Sequence, residues 1–172
     1  MSYTSPDSYW EDFTVGTHYE HVRGRTVSNE DNLAITHLTL NTAQGHFNLD
    51  YMRSVLDGMF HERLVMGGVT LSLVIGLTSE DMSENAIADV GLTGIRMPNP
   101  VYREETLYAT SEVVELRESG SQDSGLMTYR FTGRKADGTE VCTGLRTVLL
   151  KRRAFWAKAD GNLEGGSDAS SS

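Results

Sequence analysis

The chain has 172 residues, 24 acidic against 15 basic side chains, a formal net charge of -9 and a pI near 4.9. That length points to one ordinary domain with a real core and no second catalytic domain. An acidic surface repels phosphate backbones and anionic headgroups, so neither nucleic acid nor a membrane surface is an expected partner.

Lysine occurs only at Lys135, Lys151 and Lys158, and few lysines among many carboxylates suggest the solvated acidic surface that halophilic proteins use. The single cysteine, Cys142, excludes an internal disulfide, and no Cys/His spacing of metal type is present. The N-terminus "MSYTSPDSYW" lacks a signal pattern, and the longest apolar run, around Met66 to Leu77, is interrupted by glycine, serine and threonine and is too short to span a bilayer. A cytoplasmic protein is expected.

The expected domain runs over residues 9–156, with disordered ends at 1–8 and 157–172, where small polar residues have nothing to bury. An early strand is expected from about Thr17 to Thr26. Ser28 and Asp31 have the spacing of a capping box, so the segment carrying Leu33, Ile35, Leu38 and Leu40 reads as a helix ending near Asn41. A polar loop, "TLNTAQGHFN", follows it. Asn48 can cap a second short helix that carries Met52, Val55 and Leu56 and gives out near Gly58.

"LVMGGVTLSLVIGLTSED" is apolar on nearly every side and reads as a helix buried on most faces; its length argues against a strand. Beyond it the chain turns to valine, threonine and aromatics in "AIADVGLTGIRM", "ETLYATSEVVELRES", "GLMTYRFTGRK" and "EVCTGLRTVLLKRR". Alternation is clearest at Met127, Tyr129 and Phe131, and Asp137-Gly138 is a hairpin turn between the last two segments. The outline is an α+β domain whose antiparallel sheet wraps a central helix.

His46 is the sharpest candidate for chemistry. It lies in a polar turn among Asn41, Thr42, Gln44 and Asn48, where neighbours can orient an imidazole acting as a general base. Capping of the turn is the alternative. Gly67 and Gly68 open the central helix, where backbone N–H groups lack intrahelical partners and the dipole favours negative charge. They could form an oxyanion site, or simply allow close helix–sheet packing.

His18, His21, His37 and His61 show no ligand-like pairing, so no metal is expected. Asp12, Asp50, Asp57 and Glu62 are reserve carboxylates that read as caps or solvated charges. Lys151, Arg152 and Arg153 could meet an anionic ligand, but a solvated strand end is the stronger reading.

Several stretches, in order, resemble the MaoC-like dehydratases: "YWEDFTVG" (Tyr9 to Gly16), "GRTVSNED" (Gly24 to Asp31), the His46 loop, "MGG", "IRMPNPVYREETLYATSEVVEL" and "GLRTVLLKRR". The resemblance implies a hotdog fold, an antiparallel sheet around a long helix, and (R)-specific hydration of 2-enoyl-CoA thioesters. The family's loop reads Asp-x-Asn-Pro-x-His. On this chain His46 takes the histidine's place and Asn41 the aspartate's, while Ala43 and Gln44 stand at the asparagine and proline positions. The family's oxyanion donor, a glycine amide, falls on Gly67.

"LTLNTAQGH" with "MGGVTLSLVIGL" resembles the branch acting on mesaconyl-CoA and itaconyl-CoA, and the acidic surface suggests a haloarchaeal member. On that resemblance His46 would activate water held by Asn41 and Gly67 N–H would stabilise the enolate-like oxygen; Met66 and Gly68 are expected to contact substrate, and Arg63 and Arg96, the cations nearest the site elements, are the candidates to anchor an extra substrate carboxylate. The resemblance implies no cofactor, coenzyme A being part of the substrate, and at least a homodimer. The expected reaction is hydration of mesaconyl-CoA to β-methylmalyl-CoA, and the rival readings are an itaconyl-CoA or short-chain (R)-enoyl-CoA hydratase, a hotdog thioesterase and a non-catalytic acyl-CoA binder.

Overall fold

The computed structural model describes residues 8–157. The expected disordered ends lie outside the described residues except for Ser8 and Ala157, and both of these are buried. After a 3-10 turn at Trp10–Asp12, the elements are β1 (His18–Glu20), β2 (Arg25–Thr26), α1 (Asn29–Leu38), α2 (Leu49–Ser54), α3 (Gly67–Met82), β3 (Ala86–Arg96), β4 (Thr106–Glu118), β5 (Ser124–Lys135), β6 (Glu140–Lys151) and α4 (Arg153–Trp156).

The strands form one antiparallel sheet in the order β1-β4-β5-β6-β3, with β2 also on β4. The four long strands coincide with the four valine- and threonine-rich segments. In three of them alternation aims one side at α3: Leu107, Ala109 and Val113 of β4, Met127, Tyr129 and Phe131 of β5, and Val148 and Leu150 of β6 are buried, whereas β3 has no buried residue. The β5–β6 turn is Asp137-Gly138, with Gly138 in the left-handed region at φ 87° and Asp137 Oδ1 accepting from Thr139 N at 2.9 Å.

Helix α3 lies across the sheet as the expected hotdog outline requires, but its burial is one-sided. Thr70, Val74, Thr78 and Met82 form the buried stripe, one residue per turn, while Gly68, Ser72 and Gly76 are exposed on the opposite side. The expectation of burial on most faces is corrected: one face meets the sheet and the flanking leucines are half-buried. Gly133 lets α3 approach β5, since a Cβ there would sit 2.3 Å from a Val74 methyl.

Two other expectations change. The early strand breaks into β1 and β2, because His21 turns its ring inward between them; Nδ1 lies 2.5 Å from Asp81 Oδ2 on α3, and Nε2 lies 2.8 Å from Ser111 Oγ on β4. Helix α1 stops at Leu38, short of Asn41, because Leu40 takes a left-handed φ of 54°. Its start agrees with the expected box: Asp31 N donates to Ser28 Oγ at 3.1 Å, and Ser28 N donates to Asp31 Oδ2 at 2.9 Å.

The sheet face and α3 are also joined by a buried cation. Arg146 of β6 donates to both carboxylate oxygens of Asp89 on β3, at 2.6 and 2.9 Å, to Tyr129 Oη at 2.8 Å and to Ser83 Oγ at 3.1 Å. Those bonds satisfy the guanidinium where it is taken from water.

Candidate active site

The loop after α1 is built by its own side chains. Asn41 Oδ1 accepts from Ala43 N at 2.9 Å, an Asx turn that leads into a 3-10 turn at Gln44–His46. The loop is then tied to the segment ahead of α3 in both directions. Leu64 N donates to Gly45 O at 3.0 Å, and His46 Nδ1 lies 3.0 Å from Leu64 O.

A carbonyl oxygen can only accept, so Nδ1 carries the hydrogen and the lone pair of the neutral ring sits on Nε2. Nε2 has no hydrogen-bond partner among the described residues.

Helix α3 begins at Gly67 after Met66, and no side chain caps it. The first intrahelical donors are Val69 N and Thr70 N, both to Met66 O. The Gly67 and Gly68 amides therefore have no acceptor among the described residues, at the end where the dipole favours an anion.

His46 and Gly67 open on the same cavity of about 270 Å³, together with Leu64, Val65, Thr70, Met97, Pro98, Asn99, Pro100, Val101 and Val141. The "MPNPV" segment contributes a wall, with Met97 Sδ 2.6 Å from where a Gly67 Cβ would stand, and it is anchored by Val65 N donating to Val101 O at 2.9 Å. The lining is mostly apolar, with one imidazole, one hydroxyl, one carboxamide and a free helix N-terminus. Such a site can hold a short acyl group, take a proton at Nε2 and stabilise a negative oxygen at Gly67.

The remaining expected residues are placed as follows. Asn41 is not among the lining residues; its oxygen shapes the loop that presents His46. Gly68 is exposed beside Gly67, and Met66, half-buried, reaches to within 3.1 Å of where a Gly68 Cβ would be. Arg63 donates to Asn29 Oδ1 at 2.6 Å and so faces α1, and Arg96 is an exposed residue at the end of β3. Neither arginine lines the cavity, and neither does any carboxylate.

Among the reserve carboxylates, Asp12 accepts from Tyr9 N at 3.0 Å and Arg153 Nη2 at 2.5 Å, and Glu62 pairs with Arg103 at 3.1 Å. The basic run is likewise engaged. Arg152 stacks 4.3 Å over Trp10 and pairs with Glu118, and Arg153 lies 4.7 Å over Tyr9, so these side chains clamp the two ends of the described chain. Among the described residues no cluster of three or more His, Cys, Asp or Glu is spaced to hold a metal ion.

Two constellations escaped sequence reasoning. Asp81, His21 and Ser111 are linked in the order of a catalytic triad, but Ser111 is 3% exposed and absent from the cavity beside His21. The set ties β1, β4 and α3 together. The second is Asn32, buried on α1 against the site. An asparagine in mid-helix reads as a solvated polar position, and only "N" at the fourth position after the cap, on the same face as Thr36, hinted at burial.

The mesaconyl-CoA hydratase family matches residues 4–172. A relative named beta-methylmalyl-CoA dehydratase, from Chloroflexus aurantiacus, is 31% identical over 136 residues, covering 78% of this chain and 38% of that protein. A mesaconyl-CoA hydratase from Haloarcula marismortui is 28% identical over 163 residues, covering 86% of this chain and 43% of that protein. The solved structure of a putative MaoC domain protein dehydratase from Chloroflexus aurantiacus superposes with a TM-score of 0.77 at 31% identity, over 86% of this chain and 45% of that one. The chain spans less than half the length of these relatives. With the family match over nearly its whole length, the sheet around α3 and the His46–Gly67 cavity, this chain belongs to the mesaconyl-CoA hydratase family.

Proposed function

We propose that the chain is a hydro-lyase module that reversibly adds water to a 2-enoyl-CoA thioester, with mesaconyl-CoA giving β-methylmalyl-CoA. The observation that carries this reading is His46, which lines the same cavity as Gly67 and whose Nδ1 is bound to Leu64 O, leaving Nε2 without a partner among the described residues. Nε2 removes a proton from water as the oxygen bonds to the β-carbon. The double-bond electrons move onto the thioester oxygen, stabilised by Gly67 N–H, and the α-carbon then takes the proton back from the imidazolium. Water is thereby added whole, and no net charge changes.

The absence of carboxylates from the lining speaks against the thioesterase reading, which normally needs a carboxylate base or nucleophile. Asn41 keeps a place as a loop builder, and its free amide hydrogens are the only part of it available to hold the attacking water. Met66 and Gly68 border the site, and Arg63 and Arg96 are the nearest cations in sequence for a substrate carboxylate.

Completion by a second hotdog module, a homodimeric copy at minimum, is supported by three features. The relatives are more than twice as long as the matched part; β3 is an 11-residue edge strand with Ile87, Val90 and Leu92 exposed; and the outer face of α3 is uncovered. A cavity of about 270 Å³ holds an acyl group but not coenzyme A, which needs a further wall. The -9 charge with three lysines supports a halophilic protein, and a lone buried thiol fits the cytoplasm.

The test is hydration of mesaconyl-CoA, itaconyl-CoA and crotonyl-CoA in high salt, followed by loss of the conjugated enoyl absorbance, with free thiol assayed in parallel. Thiol release in step with absorbance loss would establish a thioesterase. Tight binding of mesaconyl-CoA without turnover would establish the non-catalytic reading, which the asparagine in place of the family's aspartate favours.

A further inference from the structure

Asn32 does not line the cavity, yet its side chain touches each backbone segment that does the positioning there. It is 3% exposed and lies in the first turns of α1. Its Nδ2 donates to His46 O at 2.9 Å and to Leu64 O at 3.3 Å. Its Oδ1 accepts from Met66 N at 2.9 Å. Leu64 O is the same carbonyl that accepts from His46 Nδ1, and Met66 N–H immediately precedes the Gly67 amide.

One carboxamide thus holds the backbone of the base, the carbonyl that selects its tautomer, and the residue that starts α3. The amide orientation is fixed by these partners, since a flipped group would set NH₂ against an N–H and oxygen against two carbonyls. Asparagine is the side chain that fits: aspartate has no donor for the two carbonyls, and glutamine is one methylene too long for a site bounded on three sides.

We infer that Asn32 is a positioning residue for the hydration, setting both the Nδ1–H tautomer of His46 and the placement of Nε2 relative to the Gly67 amide. The inference rests on the function proposed above. Its chemistry follows from geometry: the proton acceptor and the oxyanion donor lie on separate segments, and misplacement by about 1 Å between such groups costs on the order of 100-fold in rate.

The experiment compares wild type, Asn32→Ala, Asn32→Asp and His46→Gln, with Asp89→Asn as a control for destabilisation away from the site. For each, kcat and KM with mesaconyl-CoA are measured per folded molecule, and the imidazole ¹⁵N shifts of labelled protein report the His46 tautomer. The expected result for both Asn32 variants is a 10- to 100-fold fall in kcat with KM within about twofold, and a His46 ring no longer held as Nδ1–H. Loss of activity that only tracks the folded fraction, with kcat and tautomer as in wild type, overturns the inference, as does unchanged activity. If Asn32→Ala does not fold, the near-isosteric Asn32→Asp decides alone, and its failure to fold as well would mean a structural role only and overturn the inference. A fully active His46→Gln sinks the proposed function itself, whereas an inactive His46→Gln beside a wild-type-like Asn32→Asp sinks only the role of Asn32.

Discussion

Substituting Gly133 by alanine tests how α3 is seated, and with it where Gly67 lies. The new methyl would stand 2.3 Å from one Val74 methyl carbon and 3.0 Å from the other, with Val74 Cβ at 3.3 Å. Val74 is fully buried, and a β-branched residue in a helix has essentially one χ1 available, so it cannot turn aside. Relief must come from shifting α3 off the sheet, an overpacking cost of about 1–3 kcal/mol. For a chain of this size that lowers Tm by roughly 2–12 °C. Val74→Ala alone removes two buried methyls and costs about 2 kcal/mol. In the double variant the added methyl occupies part of the vacated space, so the combined loss should fall short of the sum by about 1 kcal/mol or more. Urea unfolding of the four proteins, followed by far-ultraviolet circular dichroism, gives the cycle. Gly133→Ala within about 0.5 kcal/mol of wild type, or strict additivity, would refute the seating of α3 against β5.

The hydrogen bond from Arg146 lowers the pKa of Asp89 from its ordinary 3.8. A depressed carboxyl stabilises the fold above its unfolded pKa, and that stability is lost as pH falls through the folded value. Asp89→Asn should therefore narrow the stability difference between pH 6 and pH 3, by no more than about 1 kcal/mol because the carboxylate is 63% exposed and solvent screens it; an unchanged acid-unfolding midpoint would contradict the pairing. Burial, with Glu140 adding, pushes the Cys142 thiol up to about 11. At pH 8 only about one thiol in a thousand is thiolate, so iodoacetamide should label it only in urea; rapid labelling of native protein would contradict its burial. Asn41→Ala removes the Asx turn and should lower kcat, whereas Asn41→Asp, which can still accept from Ala43 N, should retain most of it. Equal activity of the two variants in steady-state assays would remove the loop-building role.

The elements that could be read from sequence are those set by neighbours in the chain. The four long strands follow from alternation and composition, the β5–β6 hairpin from Asp137-Gly138, and the starts of α1 and α2 from Ser28 and Asn48, whose side chains accept from Asp31 N and Tyr51 N. The misreadings share a different cause. His21 ends β1 by reaching groups 60 and 90 residues away, and Asn32 binds backbone 14 to 34 residues distant; neither pairing leaves a periodic trace. The end of α1 turned on the left-handed backbone of Leu40, a conformation that leucine does not announce. At the site, His46 and Gly67 could be named from loop chemistry, helix-terminus chemistry and family resemblance. The wall formed by Met97 to Val101 could not be assigned a place, because a Pro-rich connection gives no direction until the strands beside it are laid down.

The central claim is that His46 Nε2 is the base for water addition. Mesaconyl-CoA hydration by wild type and His46→Gln, measured side by side in high salt from the loss of enoyl absorbance, addresses it directly. Glutamine places an amide near the Nε2 position but cannot accept a proton at neutral pH, so kcat should fall 100- to 10,000-fold, the range for loss of a general base, with KM little changed. A His46→Gln protein that turns over mesaconyl-CoA at the wild-type rate would contradict the account.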